Sequence, residues 1–366
     1  MISQEALKQT PLYRVHCSLK ARMVPFGGWE MPLQYEGILA EYESTHRAAT
    51  VFDTSHMGEF LIEGDHQEIG LDRLVTCSIE DMPLRTCRYG MVLNEQGGIV
   101  DDLIVFRLEK AKWFIVVNGT TTDKDAQHFR KYLKNKMAFH NISSELGKLD
   151  IQGPLSREIL KSFIKNIEKL DYYTFNEFEL LGERAIISRT GYTGELGYEI
   201  YFPWNKTVQL WEVIFQDRRV KPAGLGARDI LRLEMGYSLY GHELNESISP
   251  LEAGLSKFVD LKKDFVGREA LLKRQAQGVS RKIICFISET RRSPRSEQKI
   301  YDTQDVEIGS VTSGTFSPSL KRGLGMGYVN NVGVALGQKI LFGDATNKFP
   351  AEVTTRPFYK EGSLKT

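Results

Sequence analysis

An α+β chain that closes in a small all-β unit is the fold class this sequence predicts, on three observations. Strand-like runs "YGMVLN", "IVDDLIVFRL" and "KWFIVVN" follow one another from Tyr89 to Asn118 with short turns between them, the pattern of an antiparallel meander. Helix-like stretches such as "TTDKDAQHFRKYLKNKM" and "ARDILRLEMGYSLYG" are set among such runs. Beyond Ser280, "KIICFISE", "IGSVTSGTFSP", "GLGMGYV" and "AEVTTRPFY" alternate short strands with Gly, Ser and Pro turns. No period of about 20 to 50 residues recurs, which argues against a repeat architecture.

Taken in order, residues 10 to 60 open with an aromatic-rich entry, "VPFGGWEMPLQY", then a helix over "GILAEYESTHRAAT". "VFDTSHMGEFLIEG" ends as a strand, and the meander follows. The helix after it takes Thr122 or Asp123 as its N-cap. "LDIQGPLSREILKSFI" reads as a strand, a Gly-Pro break and an amphipathic helix. "AIISRTGYTGELGYEIYFP" is two strands around a glycine-rich connection, with helices near "VQLWEVIFQ", "ARDILRLEMGYSLYG" and "GREALLKRQAQ" beyond it. The polar stretch around Gly278 and Ser280 is the expected linker, dividing a region over 1–275 from a C-terminal unit over 281–366.

At 366 residues the chain is long enough for two or three domains. Hydrophobic residues make up 41% and charged ones 26%, so large cores can be buried. A net charge of +1 argues against a generic nucleic-acid binder. Apolar runs such as "FIVV" are far too short to span a membrane. The four cysteines, Cys17, Cys77, Cys87 and Cys285, form no C-x-x-C pair, which fits a reducing compartment. "MISQEALKQT" has neither a signal-peptide core nor an Arg-rich transit pattern. The expectation is a cytoplasmic protein, or one of the mitochondrial matrix only if a transit peptide has been removed.

Nucleotide P-loop, zincin, nucleophile-elbow and dinucleotide fingerprints are all missing. "GLGMGYV" reads as a structural turn, and His56 and His242 lack metal-ligand spacing, so no metal site is expected. "RRSPR" (291–295) is most simply a solvated loop.

The chemistry concentrates in three stretches. "GGIVDDLIVF" places Asp101 and Asp102 in an otherwise apolar strand, where alternation must send them to opposite faces. Carboxylates in strands are usually edge residues. In an apolar-walled cleft, however, one keeps its charge only beside a donor or cation, and otherwise its pKa rises. Either state suits proton transfer or hydrogen bonding to a ligand nitrogen. "RTGYTGELGYEI" offers Tyr192 on a glycine-flanked loop and Glu199 on the face it shares with Tyr201, a side that could line a pocket, with an ordinary glycine-rich hairpin as the equal alternative. "PAGLGARDILRLE" puts Arg228 in the first turn of a helix, against the dipole, so it answers to an anionic partner. Asp229 is accounted for by a surface pair with Arg232.

With these stretches in view, the chain resembles the glycine cleavage system T protein, the aminomethyltransferase family. The likeness runs nearly end to end through "TPLYRVHCSLKARMVPFGGWEMPLQY", "FDTSHMGEF", "GGIVDDLIVF", "RTGYTGELGYE", "PAGLGARDILRLEMGYSLYG", "PLEAGLSKF", "FVGREALL", "GSVTSGTFSPSL" and "RPFY", in that order. The resemblance implies a three-lobed fold, two interleaved α+β lobes plus a C-terminal antiparallel β-barrel around a central folate site. It implies that tetrahydrofolate is the co-substrate and the lipoylated H-protein the partner. The methylene carbon of an aminomethyl group on that partner would pass to tetrahydrofolate with release of ammonia. By the same resemblance Asp102 meets the reacting folate nitrogens as the catalytic residue, while Met57, Tyr89, Asn118, Tyr192, Glu199, Arg228 and Tyr237 line the folate pocket. No nucleic acid and no membrane are implied.

The chain departs from the family pattern at Ser256 and Lys257 after "EAGL", at Thr121, at Leu196 and in the short tail "KEGSLKT". Lys257 and the tail motivate an alternative, a tetrahydrofolate-dependent demethylase of a methylated amine or sulfonium compound on the same fold. A non-catalytic folate-binding or iron–sulfur assembly factor is a third reading, but it would carry a K-G-C-Y type motif that the sequence lacks.

Overall fold

A computed structural model describes residues 6–330 and 333–365. Residues 1–5, which carry part of the expectation about a signal or transit peptide, lie outside that range, as do residues 331–332 and 366. Two sheets and a barrel make up the architecture. The first sheet is five-stranded and wholly antiparallel, built from Gly58–Glu63, Cys87–Leu93, Ile99–Glu109, Lys112–Val117 and Phe139–Asn141. The second is six-stranded and takes Ala49–Asp53, Leu146–Gln152, Phe175–Leu180, Glu183–Ser188, Gly197–Pro203 and Val220–Pro222. Ala49–Asp53 and Leu146–Gln152 are neighbours in the second sheet, and the whole first sheet lies between them in sequence. That is the interleaving in concrete form.

The expected meander forms, and its Gly-Gly turn has a packing reason. Gly97 takes φ +78°, and a Cβ on Gly98 would stand 1.8 Å from the Glu246 carbonyl oxygen, so only glycine fits. The helix over 38–47 stops short of the expected "AAT", because Ala49–Asp53 is a fully buried strand of the second sheet. Helix Thr122–Tyr132 is capped by Thr121, not by Thr122 or Asp123, and the Thr121 side chain makes no capping bond. Its hydroxyl is engaged elsewhere, as shown below.

The two sheets pack face to face through an aromatic layer. Phe106, Phe114 and Val116 of the first sheet meet Phe175, Tyr201 and Ile186 of the second. Phe106 makes edge contacts to Phe114, Phe175 and Tyr201 at centroid distances of 5.4, 5.1 and 5.7 Å. Each such pair contributes about 0.5–1.5 kcal/mol beyond area burial. The outer faces bury against helices: Leu103 and Val105 with Ala126 and Phe129, and Ile151 and Ile200 with Leu210 and Trp211.

Beyond residue 280, six strands from Arg281–Ser288 to Lys348–Thr354 close into an antiparallel barrel. "GLGMGYV" lies within strand Arg322–Asn330 and is not the turn expected of it. Its glycines serve close packing, since a Cβ on Gly325 would sit 2.2 Å from the Phe286 ring. Helix Leu225–Glu234 ties the parts together. Ala227, Ile230 and Leu231 pack on Tyr42 and Phe52, and Leu233 reaches Leu324 and Met326 of the barrel. Arg232 pairs with Asp229 at 2.8 Å, but it is 2% exposed and also binds Glu243 and Ser313, so the pair is not the surface contact expected. No helix among the described residues is long and apolar enough to cross a membrane.

Candidate active site

Alternation divides the two aspartates as strand geometry requires. Asp102 shares its face with Ile104 and Phe106, which look toward the second sheet, and Asp101 shares its face with Leu103 and Val105, which look toward helix Thr122–Tyr132. Tyr89 lies opposite Ile104 in the neighbouring strand, on the same face as Asp102. Its hydroxyl donates to Asp102 Oδ2 at 2.9 Å. Asn118, just past the next strand, donates from Nδ2 to Asp102 Oδ1 at 2.8 Å and to Asp101 Oδ1 at 2.9 Å. Asp101 Oδ2 also accepts from the Asn118 backbone N–H at 2.9 Å and from the Thr121 hydroxyl at 2.8 Å.

Asp101 is fully buried, whereas Asp102, Tyr89 and Asn118 are each half-buried. Protein surrounds Asp102 on most sides yet leaves it partly open to water. Burial, then the Asp101 charge, pushes the Asp102 carboxyl up to about 7, against the hydrogen bonds from Tyr89 and Asn118. Asp102 can therefore exist in either protonation state near neutrality, which suits a group that both accepts and returns a proton.

A second group forms around Arg228. Its Nη1 donates to Asp150 Oδ2 at 2.9 Å, and its guanidinium lies 5.1 Å from the Tyr192 ring centroid. Lys148 Nζ donates to Asp150 Oδ1 and to Glu199 Oε1, both at 2.7 Å, and the Thr190 hydroxyl donates to Glu199 Oε2. Lys148 and Asp150 are fully buried. Burial opposes the Asp150 charge, but Lys148 and Arg228 outweigh it and hold the carboxyl below the ordinary range. Tyr192 stacks on Tyr237 at 5.5 Å, giving two half-buried rings side by side. Met57 packs on the aromatic layer between the sheets.

The structure thus brings the residues singled out in the sequence into two groups. Asp102, Tyr89 and Asn118 are joined directly, and Arg228 and Glu199 are joined through Asp150 and Lys148, with Tyr192 and Tyr237 beside them. No side-chain hydrogen bond links the groups among the described residues, although Tyr192 feels the charge of both Asp102 and Arg228. Met57 contacts the layer rather than either group. Sequence reasoning passed over Lys148 and Asp150. Their signal was present in "KLDIQ", where two charges alternate with Leu149 and Ile151 along a strand. Among the described residues no group of three His, Cys, Asp or Glu side chains is placed to hold a metal ion.

Comparisons with known proteins agree over the whole length. Residues 12–263 match the family described as GCVT N-terminal domain, and residues 281–360 match the glycine cleavage T-protein C-terminal barrel domain. An aminomethyltransferase of Pseudothermotoga lettingae is 38% identical over 98% of this chain and 99% of its own length. One of Halothermothrix orenii is 40% identical over 96% of this chain and 100% of its own. The crystal structure of glycine cleavage system aminomethyltransferase T from Bartonella henselae superposes with a TM-score of 0.91 at 31% identity, covering 97% of this chain and 99% of that one.

Proposed function

The chain belongs to the glycine cleavage T-protein family, and from that premise we propose that it is an aminomethyltransferase using tetrahydrofolate and the lipoylated H-protein. In this reading the methylene carbon of aminomethyl-dihydrolipoate passes to tetrahydrofolate, ammonia leaves, and the dihydrolipoyl sulfur regains a proton. The single observation that carries the assignment of roles is Asp102, partly open to water and held by Tyr89 and Asn118.

Folate supplies the attacking nitrogen when bound, and the chain's residues fit that requirement. A carboxyl that can change protonation near neutrality can orient a nitrogen and take or return its proton. General acid–base help of this kind is typically worth about 10²–10⁴-fold. The stacked Tyr192 and Tyr237 offer flat faces for a flat ring system. Arg228, fixed by Asp150, holds its charge against Tyr192, and Glu199, fixed by Lys148, faces the same layer. These residues position a ligand, and positioning two large carriers can contribute more than proton transfer.

The test is ammonia release from aminomethyl-loaded H-protein, measured with and without tetrahydrofolate. The reading requires dependence on both. Turnover of a methylated amine or sulfonium donor without H-protein would instead favour the demethylase reading. Full turnover by Asp102→Asn would remove Asp102 from the chemistry.

A further inference from the structure

Behind Asp101 lies a carboxyl that the proposed reaction does not use. Asp125, in the first turn of helix Thr122–Tyr132, is fully buried, and neither of its oxygens receives a hydrogen bond. The Thr121 hydroxyl is directed to Asp101 Oδ2 at 2.8 Å and to the Asn118 carbonyl at 3.0 Å, and the Thr121 backbone carbonyl accepts from the Asp125 N–H at 2.8 Å. What Asp125 does touch is the Asp101 carboxyl. Two ionised carboxylates in contact inside a protein would repel strongly, so the pair must hold a proton. The donors decide where it sits. Burial raises the Asp101 carboxyl, but Asp101 receives Asn118 N–H, Asn118 Nδ2 and Thr121 Oγ1, all of which favour its charged form, while Asp125 has only the same Thr121 hydroxyl nearby and no donor at bonding geometry.

We propose that Asp125 is a buried proton carrier that donates to Asp101, keeps Asp101 ionised behind Asp102, and so sets the pH range over which Asp102 gains and loses its proton. Asp125 acts through two intermediaries and never meets the ligand, so it is a positioning residue. The chain of contacts is continuous: Asp125 to Asp101, Asp101 to Asn118 Nδ2, and Asn118 Nδ2 to Asp102, the last two at 2.9 and 2.8 Å. Burial and the Asp101 charge push the Asp125 carboxyl up to about 10, against the nearby Thr121 hydroxyl and the Lys124 charge, in keeping with a proton held at neutral pH.

The other charged and titratable groups facing this chain are accounted for. From the helix, Lys124 turns to the Val100 carbonyl, the Tyr240 hydroxyl and Glu246, and His128 is held neutral, first by burial. From the segment after helix Leu225–Glu234, Tyr240 and Glu246 face Lys124. From the strand beside Asp102, Tyr89 donates to it, and Tyr192 approaches from the loop between strands Glu183–Ser188 and Gly197–Pro203. None of these donates to Asp125.

The role assigned to Asp102 rests on the aminomethyltransferase reading, but the experiment does not. Aspartate labelled with ¹³C at the side-chain carboxyl is followed by NMR against pH in the folded, substrate-free protein. Asp102→Asn, Asp101→Asn and Asp125→Asn identify the three signals. The expected wild-type result is Asp125 protonated and Asp101 ionised at pH 7, with Asp102 titrating near neutrality. In Asp125→Leu the donor is lost, so the last proton to leave as pH rises moves onto Asp101. The Asp102 midpoint then falls by about one pH unit or more. Asp125→Asn, whose amide can still donate, retains the wild-type order. An ionised Asp125 at pH 7 in the wild type overturns the proposal, whether or not the leucine variant folds. So does a folded Asp125→Leu with wild-type midpoints. Failure of the aminomethyltransferase assay alone leaves this titration standing, so the two ideas fail separately.

Discussion

One side-chain amide, that of Asn118, donates to both Asp101 at 2.9 Å and Asp102 at 2.8 Å. A single residue therefore fixes the spacing of two carboxyl groups that strand alternation sends to opposite faces. Replacing it with leucine removes a donor from each. Hydrogen bonds to charged groups are worth about 1.5–3 kcal/mol, so the expected loss in kcat/KM is on the order of 10–100-fold. Steady-state kinetics of Asn118→Leu check this, with circular dichroism to confirm folding.

The Asp102 carboxyl, raised to about 7, sets the expected pH behaviour. The rate should pass through a limb with an apparent midpoint near 7, and Asp102→Asn should lack that limb. Stability has its own sign. The folded protein binds the Asp102 proton more tightly than the unfolded chain, whose carboxyl titrates near 4. The stability contribution is present below that value and is lost as pH rises through about 7. Asp102→Asn should therefore gain in Tm relative to wild type above pH 7 and gain less at pH 4, as read by calorimetry at both pH values.

Lys148 holds Asp150 and Glu199 in place with no exposure of its own. Lys148→Met keeps the volume but removes the cation that two buried carboxylates share, leaving Asp150 with Arg228 and Thr54 and Glu199 with the Thr190 hydroxyl. Breaking a buried pair from one side costs about 3–5 kcal/mol. Urea unfolding should show a loss of that size, and adding Asp150→Asn to Lys148→Met should recover part of it. A purely steric effect of methionine would give no recovery.

His46 clasps the C-terminal tail. Its Nδ1 meets Glu195 Oε1 at 2.6 Å, its ring lies 4.9 Å from that of Tyr359, and Ser363 N–H donates to Glu195 Oε2 at 2.9 Å. Burial opposes the charge on His46, but Glu195 and Glu234 outweigh it and raise the imidazole to about 9. The stabilisation is complete below about 6.5 and is lost as pH rises through 9. Hydrogen exchange in residues 357–365 should therefore accelerate between pH 8 and 10 beyond its intrinsic rise. The extra acceleration should be missing in His46→Gln, where the tail is loosened throughout.

Local signals in the sequence were enough for the meander, the glycine-rich connection and the barrel strands, because alternation and turn chemistry act over a few residues. The same locality separated Asp101 from Asp102 and flagged Arg228 as a cation in need of a partner. It did not reveal the partner. Asp150 lies 78 positions away in sequence from Arg228, and Lys148 lies 51 from Glu199, so these pairs exist only once the second sheet is assembled. The sequence places the helix start one or two residues late, at Thr122 or Asp123, because the Thr121 that caps it makes no capping bond with its side chain and gives its hydroxyl to the buried Asp101. "GLGMGYV" resembled a turn because glycine tolerance and glycine packing look alike in one dimension.

The placement of the first sheet between two adjacent strands of the second also bears on how the chain folds. Joining Thr50 to Gln152 directly from an open chain would require closing a very long loop, at an entropic cost that grows with its length. The first sheet removes most of that cost. Its strands Gly58–Glu63 and Phe139–Asn141 are hydrogen-bonded neighbours, so once it has formed, its entrance and exit emerge side by side. The inserted lobe acts as a template that hands both ends to the second sheet already in register. Refolding should therefore be sequential, with the contacts of Phe60 to Asn141 preceding those of Val51 to Ile151.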